Sequence, residues 1–209
     1  DTDLDWKHED LIDNIWQNLG EDFDTDGHVI EYISGQWVFD PGDVNGIDND
    51  ANGYRDDFIG WKYSSYNDPS PPAGVTYSHG TGVAGTAVAR GNNSVGVTGV
   101  CWSCKIMFYN KDSGADAVVY VADNGADVIN MSFAGLNDSQ SLHDALSYAY
   151  SQNLVLAAGA GNEGNDGPRF PAAWNEVIAV ANTDTADYRH FSSSYGGWVD
   201  VGAPGVNIW

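Results

Sequence analysis

The sequence predicts an α/β fold in which helices cover both faces of a mostly parallel sheet. From residue 79 onward, short apolar runs alternate with stretches of helical periodicity, as in buried parallel strands joined by crossover helices. The chain has 209 residues, of which 42% are apolar. This length and composition suit one domain with a sizeable core, so we predict a single domain over residues 1–209.

The predicted helices and strands alternate along the second half of the chain. Helices are predicted at residues 83–90, 115–124 and 141–152, and strands at residues 105–109, 128–131, 154–158, 177–180 and 199–202. Active sites of such sheets lie at the carboxyl ends of the strands. We therefore expect the loops that carry Ser132 and Asn162 to meet at one edge of the sheet.

Residues 12–78 have a different composition. They are rich in Asp, Gly, Asn, Trp and Tyr and show little helical periodicity. We predict that this segment is a large loop region inserted into the single domain.

The charge of the chain excludes one class of function. Thirty acidic residues against eight basic ones give a formal net charge of −22. Phosphate binding needs clustered Lys and Arg, so we predict that the protein does not bind nucleic acid. No run approaches 18 uninterrupted apolar residues, so no membrane span is predicted. The acidic excess indicates bound divalent cations, a strongly solvated surface, or both.

Two acidic runs in the loop region have the spacing of calcium ligands. Alternating Asp and Asn around a glycine turn bring oxygen atoms to one point, as Ca²⁺ requires. The first run, D-F-D-T-D-G, offers the side chains of Asp22, Asp24 and Asp26. The second run offers the side chains of Asp48, Asp50, Asn52 and Asp57 and the carbonyl oxygen of Tyr54. The alternative for both runs is an Asp-rich turn stabilised by side-chain hydrogen bonds to its own backbone.

The two cysteines lie close together, in V-C-W-S-C-K. Cys101 and Cys104 have the spacing of a redox pair, of half a zinc site or of a local disulfide. The nearby sequence offers no further zinc ligands, and the pair precedes a predicted strand, where a redox pair would precede a helix. We predict a structural loop disulfide or two inert thiols.

One histidine has the setting that a general base needs. His79 opens the run H-G-T-G-V-A-G, which leads into an apolar stretch. A histidine at the start of a buried helix has a fixed orientation and keeps one edge of its ring open to a cleft. By itself the same pattern also fits a histidine in a turn or in the core.

Four motifs in a fixed order resemble those of subtilisin-like serine proteases. They are the segment from Asp1 to Leu11, the run H-G-T-G-V-A-G at residues 79–85, A-G-N-E-G at residues 160–164 and A-P-G-V-N-I at residues 203–208. The resemblance covers essentially the whole chain. It implies a three-layer subtilisin-like fold, truncated at both ends, and a serine endopeptidase with an Asp-His-Ser triad.

The resemblance also implies roles for individual residues. Asp1 would orient His79, and His79 would act as general base, while the side chain of Asn162 would donate to the oxyanion. The segment formed by Ser132, Phe133, Ala134 and Gly135 would pair with an extended substrate. A family calcium loop corresponds to Asn93 and the carbonyl oxygens of Gly91, Val95 and Val97, with the carboxylate of Asp10.

The nucleophile of the family has no counterpart in the sequence. The G-T-S-M-A run is missing, and Ser192, Ser193 and Ser194 match a structural turn of the family. We expect the catalytic serine beyond Trp209, and we expect the chain alone, as a fragment, to be inactive. Asp3, Gly82 and Ala134 depart from the family pattern at a turn, at a second histidine and at a glycine, respectively.

These features predict a secreted, calcium-stabilised, monomeric endopeptidase that acts on proteins or peptides. One alternative is a calcium-binding pseudoprotease scaffold, in which no serine follows. Another is a metal-dependent hydrolase that uses His79 with the acidic loop, although the sequence has no H-x-x-x-H or equivalent set of ligands.

Overall fold

The computed structural model describes residues 1–62, 67–71, 78–110 and 114–208, so parts of the predicted loop region lie outside the described residues. The chain divides into two compact units, Asp1–Asp112 and Ser113–Trp209. Each unit has its own apolar core. No helix in the described ranges is long and apolar enough to cross a membrane.

The first unit is built around one helix, α1, His79–Val88. The expectation that His79 opens a buried helix is confirmed, whereas the start at residue 83 predicted from periodicity was wrong, because the side chain of Ser78 caps the helix by accepting the N–H of Thr81 (3.3 Å). The glycines of this first turn are poor helix formers, which conceals the helix from a periodicity argument. His79 is therefore the first helical residue.

Short strands accompany this helix. Strand β3, Gly60–Trp61, pairs in parallel with β4, Phe108–Tyr109. Strands β1, Ile30–Ile33, and β2, Gln36–Phe39, form an antiparallel hairpin. The predicted loop region at residues 12–78 therefore also contains short strands. The hairpin turns at Ser34 and Gly35, which both have positive φ (52° and 86°), as a tight two-residue hairpin turn requires.

The core of the first unit joins the beginning of the chain to the loop region. Trp6 is fully buried and stacks on Phe39, with ring centroids 4.9 Å apart, and Phe39 contacts Phe58. Two 3₁₀ turns, Ile12–Asn14 and Leu19–Glu21, lead from the first segment into the loops.

The second unit confirms the predicted alternation of helices and strands. Its elements are α2 (Ala115–Asp123), β5 (Val128–Met131), α3 (Gln140–Ser151), β6 (Val155–Gly159), β7 (Val177–Thr183) and β8 (Val201–Pro204). The four strands form one parallel sheet in the order β5-β6-β7-β8. Strand β8 begins two residues later than predicted, because the backbone of Val199 still belongs to a turn bonded to Gly196.

The two faces of this sheet differ. Helices α2 and α3 pack on one face through Val118 and Leu146, which meet Leu156 and Val177 in the core of the unit. Register and alternation place Val128, Val155, Ile178 and Val201 on the opposite face, where all four are exposed. Because β5 and β6 are parallel neighbours, their carboxyl ends lie at the same edge of the sheet. Ser132 and Asn162 follow these two ends.

Candidate active site

Asp1 and His79 form a close pair in the first unit. Nδ1 of His79 lies 2.7 Å from Oδ2 of Asp1, and Oδ1 of Asp1 accepts the backbone N–H of Thr2 (2.8 Å). The Asp1 side chain is 16% exposed, whereas that of His79 is 56% exposed. A carboxylate on one ring nitrogen fixes the tautomer of an imidazole and leaves its other nitrogen free for proton transfer.

Contacts between the first residues and α1 position this pair. The backbone N–H of Asp5 donates to Oγ1 of Thr81 (2.9 Å), and the hydroxyl of Ser78 donates to the carboxylate of Asp3. A Cβ at Gly80 would collide with the carbonyl oxygen of Asp3, so the close approach of the two segments requires glycine there. Asp3 departs from the family pattern, but its carboxylate binds the residue that caps the helix.

Asn162 stands in a loop that leaves β6 in the second unit. Gly161 has a φ of 95°, which glycine adopts readily, and its carbonyl oxygen accepts the N–H of Ser194 (2.9 Å). The N–H of Gly164 donates to the carbonyl oxygen of Ser192 (2.8 Å). Asn162 itself is exposed, and its side chain makes no hydrogen bond within the described residues. Backbone hydrogen bonds on both sides of Asn162 thus fix the loop, while the side-chain amide of Asn162 keeps its N–H donors available.

An ion pair beside Asn162 was missed by the sequence analysis. Nε of the buried Arg169 donates to Oε2 of Glu163 (2.9 Å), which also accepts the hydroxyl of Ser194 (3.1 Å). The hydrogen bond from Arg169 lowers the pKa of Glu163, with a smaller contribution from Ser194. Ser193 and Ser194 are buried and bonded inside this turn, which agrees with their predicted structural role.

The predicted substrate segment follows β5. Ser132 is exposed and accepts a hydrogen bond from Asn130 (2.9 Å), whereas Phe133 is half-buried against the core. The N–H and C=O of Gly135 both bond to Phe170 (2.9 Å each). The backbone of Gly135 is therefore already paired within the second unit.

The structure brings Asp10 to the loop that resembles the family's calcium site. The buried Asp10 accepts hydrogen bonds from the side chain of Asn93 (2.8 Å) and the N–H of Val97 (2.7 Å). Positive φ values at Asn92 (61°) and Ser94 (63°) curl the loop around the carboxylate. Coordination by the carbonyl oxygens of residues 91, 95 and 97 stays a prediction.

The second acidic run converges on a glutamate that its spacing does not reveal. Glu21, Asp50 and Asp57 each place one carboxylate oxygen within 4.8 Å of the others. The amide of Asn52 joins them, because it donates to Asp50 (3.1 Å) and Asp57 (2.9 Å). The carboxylate of Asp48 instead accepts the N–H groups of residues 52 and 53. The three carboxylates offer oxygen ligands, which Ca²⁺ prefers.

Glu21 is fully buried in this group. Burial raises its pKa to about 7, a rise to which the negative charge of Asp57 adds, although the N–H groups of Asn49 and Asp56 donate to its two oxygens. A carboxylate in this position has a high free energy without a cation beside it.

The first acidic run divides between two groups. Asp22 and Asp24 lie with Asp43, which belongs to a distant part of the loop region. Asp26 lies with His28 and Asp40, and Nδ1 of His28 is 3.0 Å from Asp26 and 3.2 Å from Asp40. Neither Asp40 nor Asp43 has a spacing signal in the sequence, and the sequence analysis assigned no role to His28.

The cysteine pair is oxidised. Cys101 and Cys104 form a disulfide, which agrees with the first of the two predicted alternatives. The pair is thus neither a zinc ligand nor a free thiol.

Comparisons with known proteins agree on one family. The sequence profile described as the Subtilase family matches residues 1–208. Thermitase of Thermoactinomyces vulgaris is 40% identical over 159 residues, which are 72% of this chain and 56% of that protein. Subtilisin DY of Bacillus licheniformis is 38% identical over 63% of this chain and 52% of its own length. This chain therefore spans about half the length of these relatives.

A solved structure supports the same fold. The crystal structure of a psychrophilic subtilisin-like protease from the Antarctic psychrotroph Pseudoalteromonas sp. AS-11 matches with a TM-score of 0.57 and 31% identity. The match covers 68% of this chain and 34% of that one. The predicted subtilisin-like α/β fold is therefore confirmed.

Proposed function

Because the chain belongs to the subtilase family, we propose that it supplies the aspartate and the histidine of the catalytic triad of a serine endopeptidase that hydrolyses peptide bonds. The observation that carries this proposal is the 2.7 Å contact between His79 and Asp1. The contact joins a largely buried carboxylate to an exposed imidazole. In a Ser-His-Asp triad these two groups are paired in the same way, and the serine hydroxyl contacts the other ring nitrogen.

In the proposed reaction, His79 moves the proton. Asp1 holds Nδ1 as the protonated nitrogen, so Nε2 is free to take the proton of the serine hydroxyl and to return it to the leaving amine. The carboxylate stabilises the imidazolium that forms in between and stays ionised throughout. The exposure of the ring leaves room for both partners of this transfer.

The nucleophile is a serine that we place beyond Trp209. Residues 203–208, A-P-G-V-N-I, resemble the run that precedes the family's nucleophile, and the sequence contains no G-T-S-x-A run. We therefore expect the 209 residues by themselves to be inactive.

The proposal assigns the two remaining roles, oxyanion binding and substrate pairing, to Asn162 and to residues 132–134 of the second unit. The free amide of Asn162 would donate to the developing oxyanion of the tetrahedral intermediate. The backbone of Ser132, Phe133 and Ala134 would pair with an extended peptide, since Gly135 is already paired with Phe170. Protein and peptide chains are thus the proposed substrates.

Calcium belongs to the same proposal. The loop around Asp10, the group around Glu21 and Asp57, and Asp22 and Asp24 of the first acidic run offer oxygen ligands in a chain of net charge −22. Bound Ca²⁺ would neutralise clustered carboxylates and stabilise the loops. We also propose that the whole protein is secreted and monomeric, as expected from its acidic surface and its resemblance to extracellular subtilisins.

The test is the activity of the whole protein. We expect peptidase activity that a serine-directed phosphonylating reagent abolishes and that His79→Ala lowers to background. His143→Ala is the control, because His143 lies on α3, where its ring contacts Glu176 (3.3 Å), and it has no part in the proposal. Activity that persists in His79→Ala would refute the proposal. Absence of a serine after the 203–208 run would leave a calcium-binding scaffold.

A further inference from the structure

One carboxylate oxygen inside the loop region has no hydrogen-bond donor. Asp43 is 0% exposed. Its Oδ1 accepts the backbone N–H groups of Phe23 (2.7 Å) and Asp24 (3.3 Å), whereas its Oδ2 is buried and has no donor among the described residues. A buried carboxylate oxygen without a partner is strongly disfavoured relative to the same oxygen in water, so a ligand at this oxygen would be stabilising.

Two further carboxylates lie beside Asp43. Asp22, Asp24 and Asp43 each offer one oxygen, and these atoms lie within 4.8 Å of one another. No Lys or Arg of the described ranges forms an ion pair with any of the three. Three negative charges at this distance repel each other strongly, and one divalent cation would reverse the sign of that interaction.

The backbone permits this close arrangement. A Cβ at Gly42 would collide with the carboxylate of Asp24, so glycine there lets the carboxylate approach the segment that carries Asp43. The positive φ of Thr25 (64°) turns the chain between Asp24 and Asp26, which then point to different partners. Asp26 joins His28 and Asp40 instead.

We propose that Asp22, Asp24 and Asp43 bind one Ca²⁺ ion, with the buried Asp43 as its anchoring ligand and with Asp26 outside the ligand set. The donor atoms are hard carboxylate oxygens without nitrogen or sulfur, and they come from irregular loops, which suits Ca²⁺ better than zinc or the small, strictly octahedral Mg²⁺. The choice of ion rests on the calcium binding proposed above. The ligand set rests on the geometry of Asp43.

Two neighbouring aspartates provide a matched pair of variants. Asp24 and Asp26 are both exposed, and each accepts the N–H of the residue two positions on, Asp26 (3.3 Å) and His28 (3.2 Å), respectively. Asp24→Asn and Asp26→Asn therefore remove the same charge from the same loop. Only the first removes a proposed ligand.

The experiment is calorimetric titration of the whole protein with CaCl₂ after removal of metal by a chelator. We expect Asp24→Asn to lose one binding event, or to weaken it at least tenfold, while Asp26→Asn keeps the wild-type stoichiometry. Asp43→Asn should show the same loss of binding. If the Asp43→Asn variant does not fold, the result for Asp24→Asn alone tests the site. Mg²⁺ should not compete at equal concentration.

The outcomes separate this inference from the function proposed above. A wild-type protein that binds no calcium would overturn both this site and the proposed calcium binding. Wild-type binding that survives Asp24→Asn, or that Asp26→Asn reduces equally, would overturn this site alone, as would equal competition by Mg²⁺. Peptidase activity is not the readout, so none of these results depends on the catalytic serine.

Discussion

Nδ1 of His79 lies 2.7 Å from Oδ2 of Asp1, although 78 residues separate them in the sequence. The contact depends on the capped start of α1 and on the segment that runs from Asp1 to Asp5 beside it. A carboxylate that accepts the ring N–H orients the imidazole and favours its charged form in the transition state.

Asp1→Asn should lower kcat without a comparable change in KM. An asparagine amide opposes the required tautomer of His79, and in serine proteases in general this change costs about 10⁴-fold in kcat. Steady-state kinetics of the whole protein on a peptide substrate measure it. Asp116→Asn, an exposed acid on α2, is the control. A loss of less than tenfold in Asp1→Asn would contradict the assigned role.

Asn162→Ala should reduce kcat while substrate binding persists. Loss of one oxyanion donor costs about 10²- to 10³-fold in kcat, a magnitude established on a member of this same family. The control is Asn175→Ala, which truncates an exposed asparagine elsewhere in the second unit. If Asn162→Ala raises KM and leaves kcat unchanged, the prediction is wrong, because the side chain of Asn162 then contacts the bound substrate and not the oxyanion of the transition state.

The metal-free protein should lose stability as the pH rises from about 4.5 to about 7. The pKa of Glu21 is raised from 4.5 to about 7 in the folded protein, so in this window the folded state holds a proton that the unfolded state releases. The free energy of unfolding should therefore fall with rising pH, by about 3 kcal/mol.

Urea unfolding at a series of pH values measures this slope. Glu21→Gln should reduce this slope, leaving only the part that comes from other buried carboxylates such as Asp43, whose pKa burial also raises, whereas Glu9→Gln, at an exposed glutamate, should leave the slope unchanged. Calcium should also reduce the slope, because a cation near Asp50 and Asp57 favours the charged form of Glu21. An unchanged slope in Glu21→Gln would show that another group binds the proton.

Trp6→Ala should destabilise the first unit by about 3–5 kcal/mol, the usual cost of deleting a buried aromatic side chain. Trp6 is fully buried, stacks on Phe39, and donates from Nε1 to Asp68 (2.9 Å). Trp6→Phe keeps the stacking and loses the hydrogen bond, so it should cost about 1–2 kcal/mol. Equal losses in the two variants, measured by chemical unfolding, would contradict the importance of the stacked pair.

Local patterns in the sequence predicted most of the second unit and the contact between Asp1 and His79. Strands β5 and β6 and helices α2 and α3 lie within one or two residues of their predicted positions, because periodicity and short connections encode them directly. The run that begins at His79 and the segment from Asp1 to Leu11 likewise predicted the pair by motif. The first residue of helix α1 was harder to predict from periodicity, because the glycines after His79 are poor helix formers and the helix is started by the Ser78 cap.

The acidic loop region was decided by tertiary structure. The sequence alone determined that Asp22, Asp24 and Asp26 alternate around a turn, but spacing along the chain treats the three as equivalent. Only the fold buries Asp43 and Glu21 beside other carboxylates and directs Asp26 toward His28. The physical reason is that loop closure joins residues distant in sequence, and the desolvation that then makes a carboxylate need a cation exists only once the chain is folded.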